Sequence, residues 1–233
     1  MLRLSDNEEL FKTVAKAISK TTKKYNEYIE VGEIDDEDLK KVKKLDLHCE
    51  SLQGIEQLTS LTKLSIHYNP QNSTESYEET IGRLDNLKRI KIIHSNNMSI
   101  NLQHNPKLKH ILIAGENCRV SGVEDLECLN KGRGRLSLHL SGSATLENME
   151  ELVSKSNRKN VNKIVLPLLS LAEEKSKNPN ILQVLNENKA NILFTTYHTH
   201  DYMTIPETIE LDKEMTKIKN ELQLSERDKD GKI

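Results

Sequence analysis

Residues 45–67 decide the fold: "LDLH" (45–48) and "LSIH" (64–67) flank "LQGIEQLTSL" (52–61). Each quartet is apolar, polar, apolar, His. Alternation of that kind marks a short strand with one buried face. The same triplet returns along the chain as Leu45-x-Leu47, Leu64-x-Ile66, Ile90-x-Ile92, Ile111-x-Ile113, Leu136-x-Leu138, Ile164-x-Leu166 and Ile192-x-Phe194, at intervals of 19 to 28 residues. Val42, Leu61, Leu87, Leu108 and Val161 each stand three residues before a triplet; Arg133 and Lys189 take that place in the fifth and seventh units. One strand per 19–28 residues implies units that cannot bury their apolar edges alone and must stack, strand beside parallel strand.

A second internal match supports the stack. "LQGIEQLTSL" aligns with "VSGVEDLECL" (120–129), with Gly54 against Gly122, Glu56 against Glu124 and Leu58 against Leu126. The glycine is expected to turn the chain after the strand, and the apolar residues to close the back of the unit.

With these residues in place, the chain resembles the leucine-rich repeat family, whose pattern is L-x-x-L-x-L-x-x-N-x-L. "VKKLDLHCESL" (42–52) and "LTKLSIHYNPQ" (61–71) fit it best, with Asn69 at the asparagine position. The early units are similar to the short bacterial, internalin-like type. The later ones are similar to helix-backed, ribonuclease-inhibitor-like repeats, because "SYEETIGRL", "TLENMEELVSK" and "NPNILQVLNEN" carry helix signals: Ser76 with Glu79 as a capping box, a Leu146–Met149–Leu152–Val153 stripe, and Asn178 as N-cap before Pro179. The resemblance spans residues 39–197. Glu50, Ser95, Glu116, Ser141, Leu169 and Tyr197 replace the asparagine elsewhere, so the usual Asn ladder is largely missing. The implied fold is an α/β leucine-rich repeat solenoid with one parallel sheet on its concave face, a mixed turn and helix convex face, and helical caps at both ends.

The expected organisation is an N-terminal helical cap over 1–38, a solenoid of about seven units over 39–203, a C-terminal capping helix over 204–224 and a disordered tail over 225–233. In the first part, residues 5–30 read as one amphipathic helix. Ser5 and Glu8 box its start, Leu10, Phe11, Val14, Ala17, Ile18 and Tyr25 form its apolar face, and Gly32 stops it; a short acidic helix follows in "EIDDEDLKK". At the other end Leu211, Met215, Ile218 and Leu222 follow Pro206 at helical spacing. Both helices could instead dock a partner or form a coiled-coil seam; capping is preferred because an uncapped solenoid exposes its core.

Composition agrees. The 233 residues are 30% charged with a net charge of −2, so no global pull toward nucleic acid or membrane exists. Aromatics are 3% with no Trp, which demands an aliphatic core and removes stacking platforms for single-stranded nucleic acid. Cys49, Cys118 and Cys128 have no CxxC spacing, so a disulfide framework is not expected. "MLRLSDNEEL" lacks an apolar signal segment and no window has the length of a membrane span, which leads to the expectation of a cytoplasmic protein, or one secreted without an N-terminal signal peptide.

Aligning the units converts sequence into surface columns. Before the triplets stand Lys44, Lys63, Arg89, His110, Arg135, Lys163 and Asn191; inside them Asp46, Ser65, Lys91, Leu112, Ser137, Val165 and Leu193; after them His48, His67, Ile93, Ala114, His139, Pro167 and Thr195. All should face outward on the sheet. Like charges at strand pitch repel, so folding alone does not ask for the first column. It suits an acidic protein segment or a phosphate-bearing ligand. Lys and Arg are also common solvated residues that splay apart over apolar surface, and that reading stays open.

No phosphate-cradling loop, HExxH, CxxC or GxSxG is present. "GRGR" (132–135) reads as an inserted loop, and "HTHD" (198–201) as a polar strand end rather than a zinc site, having no third ligand nearby in sequence. Neither a cofactor nor a metal is expected. The function expected is a non-enzymatic protein-binding scaffold whose concave face, through Lys44, His48, Lys63, His67, Arg89, Lys91, His110, Arg135, His139 and Lys163, holds an acidic partner. By analogy with the family it would be a bacterial effector or an intracellular regulator. A substrate-recruiting subunit of an enzyme complex, or a binder of phosphate-bearing ligand or nucleic acid, is the alternative.

Overall fold

The computed structural model describes residues 1–68, 76–77, 79–93, 97–188, 190–195, 202–213 and 216. It opens with β1 (Leu2–Arg3), α1 (Glu8–Thr22), α2 (Tyr25–Val31), β2 (Glu33–Ile34) and α3 (Asp36–Leu39). The single helix expected over 5–30 is therefore two. Asn7, not Ser5, caps the first: its Oδ1 accepts from Leu10 N at 3.0 Å, and its Nδ2 donates to the carbonyls of Ser51 and Gln53. Lys23 adopts a left-handed conformation (φ 60°) that ends α1, and Gly32 (φ 71°) ends α2 where the sequence placed the stop. Leu10, Phe11, Val14, Ala15 and Ile18 are buried, whereas Tyr25 is exposed. Tyr28 takes the buried aromatic place and donates to Asp38 Oδ2 at 2.5 Å. Lys41 and Tyr28 together hold the Asp38 carboxyl below its usual range.

The remaining elements are β3 (Lys44–Cys49), β4 (Lys63–Tyr68), β5 (Arg89–Ile93), β6 (Ser99–Asn101), β7 (His110–Gly115), β8 (Arg119–Ser121), α4 (Glu127–Asn130), β9 (Leu136–Gly142), β10 (Thr145–Leu146), α5 (Met149–Lys155), β11 (Val161–Pro167), α6 (Leu168–Lys177), α7 (Ile181–Glu187), β12 (Ile192–Thr195) and β13 (Tyr202–Thr204). Eight described strands form one sheet in the order β13-β12-β11-β9-β7-β5-β4-β3. All seven strands of the expected repeat are parallel neighbours, and β13 adds an antiparallel edge. Alternation does what it must: Leu45, Leu47, Leu64, Ile66, Ile90, Ile92, Ile111 and Ile113 are all buried. Val165, expected on the open face, is buried as well.

The fifth unit differs in register. Ile111 lies beside Leu138 and Ile113 beside Leu140, so the triplet is Leu138-x-Leu140 rather than Leu136-x-Leu138. "LSLHL" contains both triplets, and a two-residue slip preserves which side chains face inward, so alternation cannot choose between them. The extra residues stand before β9, in the connection after α4 that holds the "GRGR" stretch; β11 separately carries an irregularity between Val161 and Lys163.

Behind the main sheet lies a second, three-stranded parallel one, β10-β8-β6, which the sequence reading did not anticipate. Gly122 turns the chain out of β8 with φ 72°, and Gly54 occupies the matching position with φ 91°. The backs of the units then run from 3-10 turns at Ile55–Gln57, Ile81–Arg83 and Leu102–His104 to α-helices in α4, α5, α6 and α7, the expected change from irregular to helical. Two cap assignments change. Ser76 Oγ does accept from Glu79 N at 3.1 Å, but only a 3-10 turn follows. Asn180, not Asn178, is the residue flanking α7.

The ladder of turn asparagines exists, but elsewhere than the family pattern puts it. Asn105, Asn130, Asn160 and Asn188, each in the connection leading to the next strand, donate side-chain amides to carbonyls in the turns of their own or a preceding unit. These bonds satisfy carbonyls that a tight connection would leave orphaned. Asn69, Met215, Ile218, Leu222 and the HTHD stretch (198–201) lie outside the described residues. At the C-terminal side, residues 205–213 are helical. Thr204 and Glu207 form a reciprocal cap: Thr204 N donates to Glu207 Oε2 at 2.7 Å, and Glu207 N to Thr204 Oγ1 at 3.5 Å.

Candidate binding face

Strand pairing assembles the outward residues. Lys44 pairs with Lys63, Lys63 with Arg89, and Arg89 with His110; the next rung is Ser137, followed by Lys163. Lys44, Lys63, Arg89 and His110 are exposed. Among the described residues, no carboxylate lies within ion-pair distance of Lys44, Lys63, Arg89 or Lys91. Arg135 is the correction. The register change removes it from the column, and its guanidinium instead donates to the carbonyls of Val161 (2.9 Å) and Arg158 (3.1 Å), pinning the entry to β9 onto the next unit.

The same slip moves His139. It leaves the column of His48 and His67 and stands between Leu112 and Val165 in the middle column. There it helps line a shallow cleft of about 360 Å³ whose walls include Arg89, Lys91, Leu112, Lys163 and Val165. Burial lowers the His139 imidazole from its ordinary value, and Lys163 lowers it further. His110 is lowered too, by burial first and then by Arg89, Lys63 and Lys109. Both rings are therefore biased toward the neutral form, so they add hydrogen-bonding edges to this face rather than charge.

His48 and His67 are neighbours, as their shared register requires. Their rings are stacked with centroids 4.2 Å apart and planes 13° from parallel. Asp46, two residues before His48, shares their face, and ligand-capable atoms of all three lie within 4.8 Å of one another.

A larger cleft of about 640 Å³ lies between α1 and β3, lined by Lys12, Lys16, Lys20, Tyr25, Lys44 and Asp46 among others. The three helix lysines sit at i, i+4 and i+8, one face of a helix, so the signal was in the sequence; only packing of α1 on β3 shows that this face continues the sheet's basic column. Lys12 is paired with Glu8, whose carboxyl it holds below the usual range.

No family model and no curated protein matches the chain. Among solved structures it is similar to an internalin from Listeria monocytogenes strain 4b F2365, with 16% identity and a TM-score of 0.38 over 82% of this chain. The match spans 64% of that internalin's length. Among the described residues, no helix is long and apolar enough to cross a membrane.

Proposed function

We propose that this chain is a non-enzymatic, leucine-rich-repeat-like scaffold that docks an acidic protein segment across the open face of its main sheet. The observation that carries this reading is the in-register column Lys44–Lys63–Arg89, exposed and without carboxylate partners among the described residues. Cations at strand pitch cost stability, and a partner's carboxylates would recover it. The column runs from the lysine-lined cleft beside α1 to the apolar cleft around Leu112 and Val165. An interface of this kind has charge at one side for steering and apolar surface at the other for affinity. At one end of the sheet α1 packs on β3 and acts as both cap and rim.

The test is affinity capture with the wild type, with Lys63→Glu/Arg89→Glu and with Arg135→Ala, each at low and high salt. Loss of the captured protein with the double reversal, but not with Arg135→Ala, is the expected result. Identical captures by all three chains sink the reading. A ligand whose affinity falls steeply with salt in proportion to its phosphates would mark a nucleic acid instead.

A further inference from the structure

The geometry points to a transition-metal site on the open sheet face, formed by Asp46, His48 and His67 and suited to zinc(II). Two strand rules produce it. Residues two apart on one strand share a face, which puts Asp46 beside His48; in-register parallel pairing puts His67 beside His48 on the neighbouring strand. The result is a right-angled set of one carboxylate and two imidazoles whose ligand atoms lie within 4.8 Å of one another. Around a tetrahedral zinc with bonds of about 2.0–2.1 Å, ligand atoms sit roughly 3.3 Å apart. Rotation about side-chain torsions closes that difference without moving the backbone.

The chemistry of the set selects the metal class. Two imidazoles and one carboxylate suit zinc and its borderline neighbours, whereas calcium and magnesium prefer all-oxygen shells. Three protein ligands leave one coordination position open, facing outward from the sheet. The two rings lie face to face at 4.2 Å and nearly parallel, so the imidazoles are already adjacent, and each ring turns about its side-chain torsions to bring its in-plane lone pair onto the ion. Lys44 and Lys63 follow two residues back on the same strands, and Ser65 fills the rung beside Asp46, so no second carboxylate of these two strands crowds the site. This inference does not depend on the docking reading, since metal uptake is read without any partner.

The experiment uses the full chain, stripped with chelator and titrated with zinc chloride by calorimetry, with imidazole resonances followed by NMR. The expected result is uptake in which the ring signals of His48 and His67 shift together while those of His104 and His110 do not. Loss of even an outer partner of a metal ligand costs on the order of tenfold in affinity, so His48→Ala and His67→Ala each lower zinc affinity by at least about that factor. His198→Ala/His200→Ala, which removes the His-x-His pair of the HTHD stretch, leaves this uptake unchanged. Equal uptake by wild type and His48→Ala/His67→Ala, or unmoved His48 and His67 ring signals in the zinc-saturated wild type, overturns the proposal.

Discussion

The hydroxyl of Tyr77 donates to Oδ1 of Asn105, and both residues are sealed from water at 1% exposure. Asn105 spends its amide on the carbonyls of Ile81 and Leu84 at 3.0 and 3.3 Å. One side chain thus closes a turn in the preceding unit while anchoring the aromatic packed above it. Burial pushes the Tyr77 phenol far above its ordinary value, so it remains a neutral donor. Asn105→Ala strands the hydroxyl and two carbonyls and should cost about 3 kcal/mol, with Tyr77→Phe costing about 1–2 kcal/mol. Urea unfolding followed by circular dichroism measures both.

Gly122 and Gly132 separate two costs. Both have positive φ, at 72° and 62°. A Cβ on Gly122 would meet Gln103 N at 2.5 Å, whereas one on Gly132 meets nothing within 4 Å. Gly132→Ala should therefore show only the left-handed penalty of about 1–2 kcal/mol, and Gly122→Ala clearly more. Equal midpoints in denaturant would refute the packing account of this turn.

Phe11 is fully buried where α1 meets the first units. Phe11→Ala removes most of an aromatic side chain from that junction and should cost about 3–5 kcal/mol. Hydrogen exchange should show β3 amides losing protection before those of β9, because α1 packs on β3.

Stability should fall as pH drops through the ordinary histidine value of 6.5. His110 and His139 are both lowered in the folded chain, so between the folded and unfolded values the unfolded chain binds more protons, and stability rises with pH there. The charges involved are Arg89, Lys63 and Lys109 around His110 and Lys163 beside His139. His110→Gln/His139→Gln should flatten the dependence of the denaturation midpoint between about pH 7.5 and 5.5.

Arg135→Ala should lower stability by about 1–2 kcal/mol, because it removes the bonds to two carbonyls, one on the exposed Arg158 and one on the buried Val161. It should leave partner capture unchanged, unlike Lys63→Glu. A capture defect in Arg135→Ala would return that residue to the binding column.

By itself the sequence determined that short strands recur, that they lie parallel and which of their residues point inward, because these follow from period-two alternation and the spacing of units. Lys44, Lys63, Arg89, His48 and His67 fell into place for that reason. Tertiary structure alone decided the position of Arg135 and His139, since Leu136-x-Leu138 and Leu138-x-Leu140 bury the same face and only pairing with Ile111 selects between them. It also decided that Lys12, Lys16 and Lys20 continue the basic column, and that asparagines before the strands, such as Asn105 and Asn160, donate to the carbonyls of the turns. The physical reason is shared: alternation encodes facing along one strand, while register and the packing of separate elements are settled by contacts between residues far apart in the chain.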